Sequence, residues 1–240
     1  MRAARLLLFL GLALAAAPTS AETAAELAKQ GMHECEQGQT AATRDEKLAH
    51  FERGQKLGEQ AVALDDDSAA AHFTIFCNLG ESLRVDGEKI TSILGFRQMM
   101  RELDRTLALD PNHLDALSAK GTLLVKLPTL LGGDVPTGEK MLERVVREDA
   151  GCINARITLA EIYAERGERA DAVAFAAQAR ELARASRRAD KLAKAEAELD
   201  KLKATPGEIT AGLAITHCPG QPNVSCPPKV KTAAAQPAEG

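Results

Sequence analysis

Tryptophan is absent from the 240 residues, tyrosine occurs once and phenylalanine six times, so aromatics make up only 3% of the chain. A core of that composition has few bulky anchors, and abundant Ala points instead to thin helices packed closely on one another. Proline is nearly missing from the body of the chain. Pro206, Pro219, Pro222, Pro227, Pro228 and Pro237, six of the 10, lie beyond residue 205. Catalytic spacings are missing too: there is no Gly-x-Ser-x-Gly, His-Glu-x-x-His, Cys-x-x-Cys or Walker loop. That excludes the commonest hydrolase, metalloprotease, dithiol and nucleotide-binding signatures, and leaves no candidate catalytic residue, metal or cofactor.

An excess of positive charge is also lacking. Arg2 and Arg5 open the chain, Leu6 to Ala17 is apolar, and Thr19-Ser20-Ala21 is a small-residue cleavage site, the pattern of a secretory signal over residues 1–21. The apolar run is too short to span a bilayer comfortably, so no membrane span is expected after cleavage. Removing Arg2 and Arg5 from the 30 basic residues leaves 28 against 34 acidic, a net charge of −6. An acidic surface argues against nucleic acid as partner and gives no reason for attraction to anionic lipid.

The five cysteines are Cys35, Cys77, Cys152, Cys218 and Cys226. Export makes disulfides available. Cys218 and Cys226 bracket a short Pro- and Gly-containing loop and are the leading pair. Cys35 and Cys77 fall on neighbouring helices at relative heights that the sequence leaves open, and Cys152 is expected as a small buried apolar residue. His217 with Cys218 and Cys226 offers three metal ligands, but in an oxidising compartment a disulfide is favoured over a metal site.

Apolar residues at helical spacing predict nine helices. The first runs from Glu22 to about Gln37, ending near Gly38. The second is Arg44 to Leu64 and the third Ala69 to Val85, closed by Asp86-Gly87. The fourth spans Glu88 to Leu109. The fifth is Leu114 to Leu127, and the sixth opens at Pro136, a position proline tolerates. The seventh and eighth form a hairpin about Arg166-Gly167-Glu168, with Leu159, Ala160 and Tyr163 facing Ala172, Phe175, Ala176, Ala179 and Leu182. Large residues opposite small ones allow close antiparallel packing. Arg187 to Lys203 carries a narrow seam of Leu192, Ala195, Leu199 and Leu202 with a polar outer face, suited to the end cap of a stack. Residues 22–204 therefore form one helical domain. Residues 205–240 are expected as a tail with little fixed structure apart from the Cys218–Cys226 loop.

Asp65-Asp66-Asp67 lacks the Gly and distal Glu of a calcium loop, so a capped turn is expected there, with Asp67 or Ser68 starting the next helix. Leu131-Gly132-Gly133-Asp134 lacks the Lys-Ser/Thr of a phosphate loop and is expected to be a packing turn capped by Asp134. His72 and His113 stand at helix starts, where packing or capping suffices.

Breaks at Asp65-Asp67, Asp110-Pro111 and Asp149-Gly151 recur at about 40 residues, within the range of helical-hairpin arrays. Leu159-Ala160-x-x-Tyr163, then Gly167, Ala172 and Ala179, resembles a tetratricopeptide repeat with a degenerate first aromatic. The preceding unit, with Gly121, Leu124, Gly138 and Val145, fits once an insertion at Leu130–Asp134 is allowed. The order Leu57-Gly58, Ala71-His72, Asn78-Leu79-Gly80, Gly87, Ala108 to His113, Pro128, Leu131-Gly132-Gly133, Leu159-Ala160-Glu161 and Gly167 is similar to a narrower branch. That branch contains the T components of periplasmic TRAP-type transporters, and eukaryotic regulators of microtubule dynamics share its pattern. The resemblance covers roughly Glu46 to Arg184; the Cys-bearing tail is outside it. It implies an all-α fold, a helical-hairpin solenoid; with the capping helix and disordered tail read from the residues, the expected architecture is a right-handed tetratricopeptide-like solenoid with a C-terminal cap and a disordered tail. The resemblance also implies an accessory of a substrate-binding protein and leaves homo-oligomerisation open.

In such an array the first helix of each hairpin lines the concave groove. The register set by Leu159 and Gly121 predicts Phe73, Thr74, Cys77, Ser118, Thr122, Thr158 and Glu161 there, with Asn154 near the edge. That face is small, neutral and weakly apolar, without the row of Lys, Arg and Asn that grips a peptide carboxylate. An extended peptide, a partner helix or a small apolar ligand delivered with a protein fits it. The function expected is therefore an exported, periplasmic or secreted, non-enzymatic scaffold that binds a protein partner. The alternative is a structural organiser of an envelope complex tethered by its tail.

Overall fold

Thr23 and Thr43 each begin a helix by the same device. The Glu26 amide donates to Thr23 Oγ1 (3.2 Å) while the Thr23 amide donates to the Glu26 carboxylate (2.9 Å), and Glu46 pairs with Thr43 likewise. Each box satisfies two amides that a helix start leaves without intrahelical partners. Glu26 and Glu46 are held below the ordinary carboxylate pKa by these bonds, the backbone one foremost.

The computed structural model describes residues 22–86 and 92–204. Among them the chain forms α1 (Ala24–Thr40), α2 (Arg44–Leu64), α3 (Ala69–Asp86), α4 (Ser92–Leu109), α5 (Leu114–Lys126), a 3-10 turn (Thr129–Leu131), α6 (Val135–Glu148), α7 (Ile153–Glu165), α8 (Arg169–Ala185) and α9 (Ala189–Ala204). The described residues contain no strand, and none of their helices is long and apolar enough to cross a membrane. The expected signal over residues 1–21, Gly87 with the start of the helix predicted from Glu88, and the tail with Cys218 and Cys226 lie outside the described residues.

Three of the inter-helix turns are copies of one another. Asp65, Asp110 and Asp149 each accept, through Oδ1, the amide two residues on: Asp67 (3.1 Å), Asn112 (2.9 Å) and Gly151 (2.7 Å). The residue three on, Ser68, His113 or Cys152, then donates its amide to the aspartate carbonyl and precedes the next helix. An Asx turn of this kind reverses the chain without losing a backbone partner. Arginines from the following hairpin clamp two of the turns: Arg105 on α4 reaches Asp66 and Asp67, and Arg144 on α6 reaches Asn112 (2.6 Å). The turn and clamp recur, which makes the helical array repeat-like.

Consecutive helices pack as neighbours throughout, and the odd-numbered ones also pack side by side, α1 on α3 and α5 on α7 on α9. Even-numbered helices do not do so to a comparable extent. The largest core, around Leu117, Leu142, Val145, Leu159, Ala172, Phe175 and Leu202, joins α5 through α9. Tyr163 and Phe175 stack at 5.4 Å in the α7–α8 hairpin, on the facing surfaces the sequence predicts. The seam between α4 and α5 is the thinnest between consecutive helices. There Phe73 of α3, Leu103 of α4 and Ala116 of α5 meet.

Glycine permits the closest crossings. A Cβ on Gly54 would stand 2.1 Å from Asn78 Oδ1, and one on Gly38 would stand 2.4 Å from the Phe51 ring. Gly38 therefore lies inside α1 rather than ending it, because the ring of Phe51 occupies the space beside it. The boundary at the other end also differs from expectation. α9 begins at Ala189 because Arg187 takes a left-handed φ of 56° and the Arg188 amide turns back to the Ala183 carbonyl (2.9 Å). That closes α8 with the reverse turn that usually employs glycine.

Candidate partner-binding face

α5 and α7 are zipped together by polar pairs. The Ser118 hydroxyl lies 3.4 Å from Cys152 Sγ, the Thr122 and Thr158 hydroxyls lie 3.3 Å apart, and Lys126 donates to Glu161. Ser118, Thr122 and Lys126 are one turn apart on α5, so the three pairs follow the helix axes. On α9, Lys201 donates to Glu198 (3.0 Å), whose hydrogen bond holds the ammonium above its ordinary pKa, with the Glu161 charge adding to the effect. Side chains of alternating charge thus run from α5 across α7 to α9.

This geometry corrects much of the predicted groove. Ser118 and Thr158 are buried in the α5–α7 seam, and Thr122 and Glu161 face partners within the chain rather than open solvent. Thr74 is fully buried, donating to the carbonyls of Ala28 (3.1 Å) and Ala70 (2.8 Å). Phe73 is buried against Leu103 and Ala116 and packs on the ring of His113 at 4.5 Å. The physical reason is common to all four buried residues: each is covered by a neighbouring odd-numbered helix as well as by its hairpin partner, Thr74 by α1, Thr158 by α5, Ser118 by the start of α7 and Phe73 by Ala116 of α5. Asn154 is exposed. Cys77 is half-buried and bonded to Cys35, the pairing whose geometry the sequence left open.

Cys152 is a half-buried free thiol that precedes α7 and packs against the core of α5 through α9. Beside it Arg156 is buried, donating to the Cys152 carbonyl (2.7 Å) and Gln178 Oε1 (3.3 Å), and burial pulls its guanidinium below the ordinary arginine pKa. His113 accepts the Ala116 amide at the start of α5, the capping role expected of it. His72 is buried between Glu102 (2.7 Å) and the Asp66 carbonyl (2.9 Å). Asp134 caps α6 by accepting the Thr137 amide (3.1 Å), and the Thr137 side chain foremost, then that amide, holds its carboxyl low. No group of three or more acidic, His or Cys side chains among the described residues is arranged to hold a metal ion.

What remains apolar and partly uncovered is a strip the sequence reading missed. Met32 on α1, Phe76 on α3, and Ala119 and Leu123 on α5 gather around Phe73, Leu103 and Ala116, each leaving part of its surface open. Phe73 and Phe76 stack at 5.5 Å on α3. The spacing of Ala119 and Leu123 on one helical face carried the signal, but only the arrangement of α1, α3 and α5 joins it to Met32. Two further apolar side chains, Leu130 and Leu131, stand 94% and 64% exposed on the 3-10 turn. No protein-family model matches the chain, and no curated protein matches it.

Proposed function

We propose that the chain is an exported, non-enzymatic helical-repeat scaffold of tetratricopeptide type. Its inner surface, formed by the odd-numbered helices, holds a protein partner, or a small apolar ligand delivered with one. The observation that carries this reading is the strip of Met32, Phe76, Ala119 and Leu123, apolar and partly open across three odd-numbered helices. The charges farther along that surface are paired with one another, as in Lys126 with Glu161 and Lys201 with Glu198. A neutral or apolar segment, extended or helical, meets such a surface without stranding a charge. Service to a periplasmic transport system is the biological setting that the family resemblance suggests.

Affinity capture from the native envelope fraction tests the proposal. The wild-type chain retains a reproducible partner, and Ala119→Glu, which plants a carboxylate in the strip, loses it while keeping its helical spectrum. Turnover of a small substrate with no partner captured would overturn the proposal.

A further inference from the structure

Among the described hydrogen bonds, one joins residues far more distant in sequence than any other. Arg188, in the turn between α8 and α9, donates to Gln39 Oε1 at the end of α1 (2.8 Å), a separation of 149 residues. Asp190 fixes the guanidinium by two bonds, 3.0 and 3.2 Å. Glu36 and Glu81 add favourable charge, and the Asp190 bond foremost holds Arg188 above the ordinary arginine pKa. Lys191 beside it is 9% exposed, unlike the solvated residue expected on the outer face of a capping helix. Among the described helices, the turn that leads into the last is therefore latched to the end of the first.

The receiving side of the latch is built in two rungs. Gln39 Nε2 donates to Glu81 Oε1 (3.1 Å) and lies 3.9 Å from Cys35 Sγ. One turn earlier on both helices, Cys35 is bonded to Cys77. Gln39 is the penultimate residue of α1, in the turn most prone to fray. The disulfide pins that turn against α3 and so presets the height at which Gln39 meets Arg188. Without that bond the last turn of α1 would lose its covalent tie to α3 and keep the Gln39–Glu81 hydrogen bond.

We propose that the Cys35–Cys77 disulfide is a redox control on the latch between α1 and α9. A dithiol reductant of the thioredoxin-like class supplies the electrons. Its thiolate attacks Cys77 Sγ, the sulfur of the partly exposed cysteine, and the Cys35–Cys77 bond breaks with Cys35 leaving as a thiolate that takes a proton. The reductant's second thiol then displaces Cys77, which is also protonated, and the reductant departs as a disulfide. Cys35 and Cys77 together gain two electrons and two protons. With its rim loosened, Gln39 releases Arg188, and α1–α4 turn relative to α5–α9 about the thin α4–α5 seam. The latch stands whether or not a partner occupies the inner surface.

Hydrogen–deuterium exchange on the full chain, read peptide by peptide, tests this. Cys218→Ser/Cys226→Ser serves as the background, so that reduction reports on Cys35 and Cys77 alone. The expected result is several-fold faster exchange at 36–41 and 186–192 on reduction, with 138–146 in α6 unchanged. Arg188→Ala, with the disulfide intact, speeds 186–192 by itself. Small-angle scattering of the reduced protein shows a larger radius at unchanged helicity. Cys35→Ser/Cys77→Ser in that background provides the same comparison without reductant, and the reduced background protein replaces it if that variant fails to fold. Faster exchange at 186–192 in Arg188→Ala with no change on reduction would overturn the redox control, and no change in either would overturn the latch itself.

Discussion

Thr122 and Thr158 bring their hydroxyl oxygens to 3.3 Å across the α5–α7 seam, Thr158 buried and Thr122 half-buried. Thr158 is the buried member, so removing the Thr122 hydroxyl strands it. Thr122→Val is expected to cost about 1–3 kcal/mol. Thr122→Val/Thr158→Val together should cost less than the sum of the two single changes, because no hydroxyl is left alone. Denaturant unfolding of the four proteins reads the cycle, and strict additivity would contradict the pairing.

Gly54 and Asn78 make a second pair whose sign is informative. In an exposed helix Gly→Ala stabilises by about 0.5–1 kcal/mol. Here the added methyl would meet Asn78 Oδ1, a buried oxygen with no hydrogen-bond partner. Its amide nitrogen is fixed by the carbonyls of Gly31 and Thr74, both at 2.9 Å. Gly54→Ala is therefore expected to destabilise by about 1–3 kcal/mol. Gly54→Ala in an Asn78→Ala background should lose much of that penalty, and a shift in unfolding midpoint checks it.

Tyr163 is the only tyrosine of a chain that has no tryptophan, so near-ultraviolet titration reads this one phenol. Burial foremost, then the charges of Glu143 and Glu139, push it from 10.0 up to about 12. The phenolate band is expected to appear with a midpoint near 12 in the folded protein and near 10 in denaturant. The folded state holds its proton more tightly, so this residue's contribution to stability is complete below pH 10 and is lost as pH rises towards 12. A folded midpoint near 10 would contradict the packed, stacked position against Phe175.

Asp190 governs the acid side of the latch. Burial raises its carboxyl, but the hydrogen bond from Arg188 and the charges of Lys191 and Arg188 outweigh burial and hold it below its ordinary 3.8. The stabilisation is present above that value and is lost as pH falls through the lower folded value. Acid titration of exchange at 186–192 should show this loss, and Asp190→Asn should flatten the profile while weakening the turn at neutral pH.

The helices were legible because their causes are local. Thr-x-x-Glu boxes, Asx turns at Asp65, Asp110 and Asp149, and proline at the start of α6 act within a few residues of themselves. Opposition of Tyr163 to Phe175 followed from helical spacing on either side of one turn. The proposed binding face was only partly legible, because exposure on an odd-numbered helix depends on its neighbouring odd-numbered helices, about 40 residues away along the chain. Thr74 and Thr158 have the right period for a groove, yet a second neighbour covers them. Lys191 and Glu198 show the reverse: charge predicts exposure, but Lys191 lies beside the latch to α1 and Glu198 is sheltered by Lys201. Nothing near residue 188 in sequence announces Gln39.

The central claim is that a partner lies on the apolar strip of α1, α3 and α5. A photoreactive side chain placed at Ala119, with Gln60 on the exposed side of α2 as control, tests it in the native envelope. One discrete adduct is expected from position 119 and none from 60. Equal adducts from both positions, or none from 119 while the chain is folded and correctly delivered, would contradict it.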